Sequence, residues 1–154
     1  MQTRPSQRFN DWPQRLEAAL NEWSLKEFVW GESDCFCFAA AMIEAITGSD
    51  PMAGLRDQYH DRESAYALLN NKILMPGSQE VINLNGHQNA IETVMGEPQN
   101  VRLAQRGDLI LYQFGNGDKL IGVVDGSGKK AAAMAEGKGL VRLMVKLGSA
   151  SWRV

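Results

Sequence analysis

A chain of 154 residues with 44% apolar and 22% charged side chains has the size and composition of one globular domain with a core of its own. Sixteen Lys and Arg against 18 Asp and Glu leave a net charge of −2, and the basic residues are scattered, so nothing asks for nucleic acid or an anionic membrane. No apolar run approaches the roughly 20 residues of a membrane span, and two cysteines two positions apart cannot frame a disulfide scaffold.

Residues 1–10 are polar, carry Arg4 and Arg8, and lack the apolar segment of a secretory signal. They read as a flexible N-terminal arm before a single domain over 11–154, and folding in a reducing cytoplasm is expected. Asp11-Trp12-Pro13 opens a helix with proline in its first turn, and Leu16, Ala19, Leu20 and Trp23 repeat at helical spacing. Phe28, Val29 and Trp30 favour an extended segment. Gly31 to Asp34 is a turn that ends in two good N-cap residues.

A helix follows from about Cys35 to Thr47. It is apolar on nearly every side, with Glu44 its only charge, as expected of the buried centre of a domain. Gly48 stops it. Asp50-Pro51 predicts a short helix, and Asp61 to Asn71 another, with Ala65, Leu68 and Leu69 inward. Residues 78–96 are expected to be partly helical, interrupted at Gly86.

From Gly107 the texture changes. Residues 108–114, 119–124, 130–135 and 140–145 are strand-like runs. They are separated by Gly115-Asn116-Gly117-Asp118, Asp125-Gly126-Ser127-Gly128 and Glu136-Gly137-Lys138-Gly139, which are hairpin turn sequences. The tail around Trp152 can add a strand or edge. Helices first and an antiparallel meander second make an α+β domain.

Asp34-Cys35 places a sulfur at a helix N-terminus, where free N–H groups and the helix dipole favour a thiolate. The same position suits a cysteine that merely packs in a buried helix. Cys35 and Cys37 lie about 200° apart on a helix, so they cannot grip one ion together, and no Cys/His cluster exists for zinc. Cys37 reads as core. The four tryptophans read as packing residues, with Trp30 placed to flank a cleft at Cys35. His60 and His87 read as surface loop residues.

Three segments occur in the order seen in one family. Phe28-Val29-Trp30-Gly31-Glu32-Ser33-Asp34-Cys35 resembles the segment that carries the nucleophile of NlpC-type cell-wall peptidases. Arg106-Gly107-Asp108-Leu109-Ile110-Leu111 resembles the Pro-Gly-Asp-Leu-Val strand of that family, and Leu120-Ile121-Gly122-Val123-Val124 its His-Val-Gly-Ile-Tyr strand. The resemblance spans about residues 12–145. It implies a papain-like core, N-terminal helices packed on a small antiparallel sheet. It implies Cys35, Asp34 and Trp30 as site residues and no cofactor.

The departure is at Leu120, which stands where the family has its catalytic histidine; the third polar position falls near the apolar Ala132 to Met134. A cysteine without a base lacks the partner that makes the thiolate and protonates the leaving group. Trp30-Gly31-x-x-Asp34-Cys35, Phe38-Ala39-Ala40, Thr47-Gly48-x-Asp50-Pro51, Arg56-x-x-Tyr59 and Trp152-Arg153-Val154 are similar to a small NlpC-like family of phage and prophage tail modules, which often lacks that histidine. The function implied is a structural or assembly role at the tail tip of a long-tailed phage, with other tail-tip and hub proteins as partners. The implied setting is the host cytoplasm during assembly and the virion afterwards. Two other readings stand beside it: an active peptidoglycan peptidase or amidase with Cys35 as nucleophile, and a bacterial binding domain using the same cleft for a peptide or glycan.

Overall fold

Asp11 and Pro13 set where the first helix begins. In the computed structural model, which describes residues 7–69, 72–74, 81–83 and 86–154, α1 runs Trp12–Trp23 and buries Leu16, Leu20 and Trp23 as one stripe. That stripe packs on α2, Cys35–Thr47. Asp34 caps α2: its backbone is extended, and its Oδ1 accepts the Cys37 N–H at 2.8 Å. Gly48 closes it in the left-handed conformation (φ 83°) that glycine tolerates without strain. Eight residues of α2 are buried, making it the centre of the domain.

After α2 come α3 (Arg62–Leu69), a two-stranded ribbon of β1 (Lys72–Leu74) and β2 (Val81–Asn83), and α4 (His87–Met95). The main sheet holds β3 (Leu109–Gln113), β4 (Lys119–Val124), β5 (Lys130–Ala135), β6 (Gly139–Met144) and β7 (Ala150–Trp152). Its order is β6-β5-β4-β3-β7, with every pairing antiparallel. This is an α+β domain. Ile121 and Val123 of β4 and Ala132 and Met134 of β5 share one core with Phe38, Met42 and Ile43 of α2. The sheet's other face carries Ile110, Tyr112, Val124 and Ala131, packed with Val145.

Three local expectations are corrected. Asp50-Pro51 does not start an α-helix: Asp50 Oδ1 accepts the Met52 N–H at 2.9 Å, but Gly54 turns left-handed (φ 80°) and only a 3-10 turn, Arg56–Gln58, follows. Phe28 to Trp30 form no strand, because the Val29 carbonyl accepts the N–H groups of Glu32 and Ser33 and folds the chain into a turn. Gly86 precedes α4 rather than interrupting a longer helix, with β2 before it.

Asn70 and Asn71, the expected end of α3, lie outside the described residues, as do 78–80, 84 and 85 of the expected 78–96 region. Of the N-terminal arm, residues 1–6 also lie outside. Arg8 and Phe9 are joined to the body: Arg8 Nε donates to the Val154 carbonyl at 2.7 Å, and the Phe9 N–H to the Ile46 carbonyl at 2.8 Å. Among the described residues no helix is long and apolar enough to cross a membrane.

Candidate functional site

The head of α2 is built from a turn that only glycine can make. Gly31 has φ +83°, and a Cβ there would sit 2.6 Å from the Tyr59 carbonyl oxygen. Its N–H donates to Asp34 Oδ2 at 2.8 Å, and the Tyr59 hydroxyl donates to the same oxygen at 2.6 Å. With Oδ1 held by Cys37 N–H, the buried Asp34 carboxylate ties together the Gly31 turn, the helix and the segment after the 3-10 turn. Cys37 faces this network, its Sγ 3.7 Å from the Tyr59 hydroxyl. Burial, then the Asp34 charge, pushes its thiol up to about 11.

Cys35 lines a cleft of about 380 Å³. Trp30, Tyr66, Leu120 and Met134 share its wall, and Arg62, Asp118, Lys119, Glu136 and Lys138 bring charge to it. Trp30 stands edge-on to Phe28 at 4.9 Å and donates its indole N–H to Glu136 Oε2 at 3.0 Å. Arg62 pairs with Asp118 across the cleft. The expected site residues thus divide. Cys35 and Trp30 meet at the cleft, while Asp34 stands behind them as the capping and clamping group.

The Cys35 side chain is buried, and burial first and the Asp34 charge second push its thiol up to about 12. The backbone N–H groups of Ile121 and Phe36 act on the sulfur in the other direction and are outweighed. Cys35 is a neutral thiol at pH 7, which is the unreactive form.

Neither imidazole is among the groups that shift it. His60 is exposed, with Nε2 3.6 Å from Asp61. His87 is not a surface loop residue: it is buried in the first turn of α4, stacked on Phe36 at 5.3 Å and edge-on to Tyr66 at 5.0 Å. Gly86 (φ 90°) turns the chain inward just before it. Burial, then Lys119 and Arg62, push the His87 imidazole down to about 4, so it is neutral at pH 7. Leu120 is half-buried on β4 and lines the Cys35 cleft; Ala132 and Met134 are fully buried.

A second cavity, of about 100 Å³, lies behind Phe36 between α2, α3 and α4 and is lined almost wholly by apolar side chains. Among the described residues no group of three or more His, Cys, Asp or Glu could hold a metal ion. Sequence reasoning placed Tyr59 in a motif without a role. The one side chain that bonds Asp34 among the described residues was legible only as a tyrosine three residues before α3.

An α+β domain in which a capped central helix presents a cysteine to a cleft against an antiparallel sheet is what these elements define. The chain belongs to the DUF6950 family, described as a domain of unknown function, whose model matches residues 7–154. No curated protein matches it.

Proposed function

We propose that this domain is a papain-like, NlpC-type fold used as a structural or assembly component of a long-tailed phage's tail tip, its cysteine site without catalytic power. One observation supports the loss of catalysis: the Cys35 thiol is held neutral in its cleft, and neither histidine is among the groups that act on it. The helix head against an antiparallel sheet supports the papain-like reading, as do the motifs from Trp30 to Cys35 and from Arg106 to Leu111. The tail-tip setting rests on the longer pattern through Tyr59 and Trp152-Arg153-Val154. In this reading the partners are other tail-tip and hub proteins, met in the host cytoplasm and retained in the virion.

Iodoacetamide at neutral pH should label Cys35 far more slowly than a free thiol. Co-purification with hub proteins should survive Cys35→Ala. Hydrolysis of peptidoglycan by the wild type and not by Cys35→Ala would overturn the proposal in favour of a peptidase or amidase. That alternative draws on the place of Cys35 at the head of α2, where free backbone N–H groups suit a nucleophilic thiolate.

A further inference from the structure

The Cys35 cleft is built from two parts of opposite character. Its apolar part comes from the body of the sheet. Leu120 of β4 and Val141 and Leu143 of β6 line it, and Leu120 and Leu143 pack on the sheet's second core. The fully buried Met134 and the Cys35 thiol close it. Its charged part comes from the ends of three elements. Asp118 and Lys119 sit where β3 turns into β4, Glu136 and Lys138 where β5 turns into β6, and Arg62 opens α3. Two contacts tie these ends across the rim, Trp30 to Glu136 at 3.0 Å and Arg62 to Asp118. They leave a volume of about 380 Å³ between the walls. Sites for small molecules occupy about 300–1,000 Å³ and pair apolar walls with a few placed charges.

We infer that this cleft is a binding site for a small amphipathic monoanion, an apolar body that carries one carboxylate. The inference goes beyond the structural role proposed above and does not depend on the tail-tip setting. Burial of apolar surface against Leu120, Val141 and Leu143 draws the body in. Charge selects the head group. Arg62 and Asp118 cancel, and the Glu136 carboxylate accepts the Trp30 indole N–H. Lys119 and Lys138 form no ion pair among the described residues, so three cations face two carboxylates in a chain of net charge −2. Arg62 and Lys119 both bear on the His87 ring, which stands edge-on to Tyr66 at 5.0 Å, so positive charge gathers at the Tyr66 end of the cleft. Lys119 is half-buried, where its charge is screened less than that of the exposed Lys138. The carboxylate therefore goes to Lys119 first and Lys138 second. The Cys35 thiol, neutral at pH 7, does not repel it.

The test is titration of the 15N-labelled full chain with 4-phenylbutyrate, 4-phenylbutanol and 4-phenylbutylamine, which share one body and differ in head-group charge, and with a muropeptide. At pH 7 the carboxylate should bind with a dissociation constant of about 1 mM or below. It should shift the amides of Lys119, Leu120, Val141 and Leu143 and the Trp30 indole N–H. The alcohol should bind more weakly and the amine most weakly. Lys119→Glu should weaken the carboxylate by about tenfold and Lys138→Glu by about threefold. The double variant should reverse the order of carboxylate and amine. Leu143→Trp, checked for an unchanged circular dichroism spectrum, should fill the apolar part and abolish binding of all three. Absence of shifts at these positions at the highest soluble concentration of 4-phenylbutyrate would overturn the inference, as would equal binding of the three compounds or binding of the muropeptide alone. The two readings fail separately. Peptidoglycan hydrolysis through Cys35 would end the structural role and leave the order of the three compounds standing, whereas a silent cleft leaves the Cys35 labelling result untouched.

Discussion

Cys35 and Cys37 stand two residues apart on α2 and face different chemistry. Cys37 looks onto a sealed polar knot, in which one carboxylate takes hydrogen bonds from Gly31, Cys37 and Tyr59. Cys35 looks onto a cleft walled by Trp30, Leu120 and Met134. Both thiols are held protonated, to about 11 and about 12, and in both the largest cause is burial. Rigidity on one side and open space on the other is how a fold holds a binding surface in register. The knot fixes the helix head, so the position of the sulfur relative to β4 does not depend on what occupies the cleft.

The largest expected effect comes from cutting the knot. Asp34→Ala removes an N-cap, worth about 1 kcal/mol. It also strands the buried Tyr59 hydroxyl and the Gly31 N–H, at about 1–3 kcal/mol each. A total loss of about 4 kcal/mol is expected, read as a lower urea midpoint. Asp34→Asn, which can still accept at the cap, should cost less than half as much. If Asp34→Ala proves nearly neutral, the knot does not hold the helix head and the contrast between the two cysteines loses its basis.

A second effect lies at the corner where His87 meets Phe36 and Tyr66. The imidazole titrates in the unfolded chain near 6.5 and in the fold at about 4. The unfolded state therefore takes up the proton first, so His87's contribution is fully present above pH 6.5 and is lost as pH falls through 4. The loss amounts to about 3 kcal/mol at 1.36 kcal/mol per unit. Urea midpoints at neutral pH and near pH 4 should show it, and His87→Phe, which keeps a ring against Phe36, should flatten that part of the profile. An unchanged pH slope in His87→Phe would mean that carboxylates elsewhere set the acid sensitivity.

The knot and the corner were unequally legible. The span of α2 could be read because both ends are punctuated, Asp34 as cap and Gly48 as stop, around an all-apolar run. The meander could be read from its Gly/Asn/Asp turns. Turn chemistry names which strands are neighbours and says nothing of how far they stay paired, so the shortness of the β4–β5 ladder, two residue pairs, was hidden. The burial of His87 was hidden too: its sequence neighbours Asn85, Gly86 and Gln88 are polar or small, and the aromatic rings that enclose it come from α2 and α3. Asp50-Pro51 carried a correct cap signal that Gly54 cancelled four residues on.

The smallest effect is the sharpest on the difference between the cysteines. Leu120→His would put an imidazole on the cleft wall that Cys35 shares and Cys37 does not. A base at that wall should favour the Cys35 thiolate and oppose the burial that now keeps it neutral. A lowering by one unit is about tenfold in thiolate fraction. Iodoacetamide labelling at neutral pH, mapped by mass spectrometry, should therefore rise by about that factor at Cys35 and stay unchanged at Cys37. A rise at both cysteines would report loosening of the helix head, which the Asp34 knot should prevent. No rise at either would mean that β4 does not present residue 120 to the sulfur, and the papain-like reading of the cleft would fall with it.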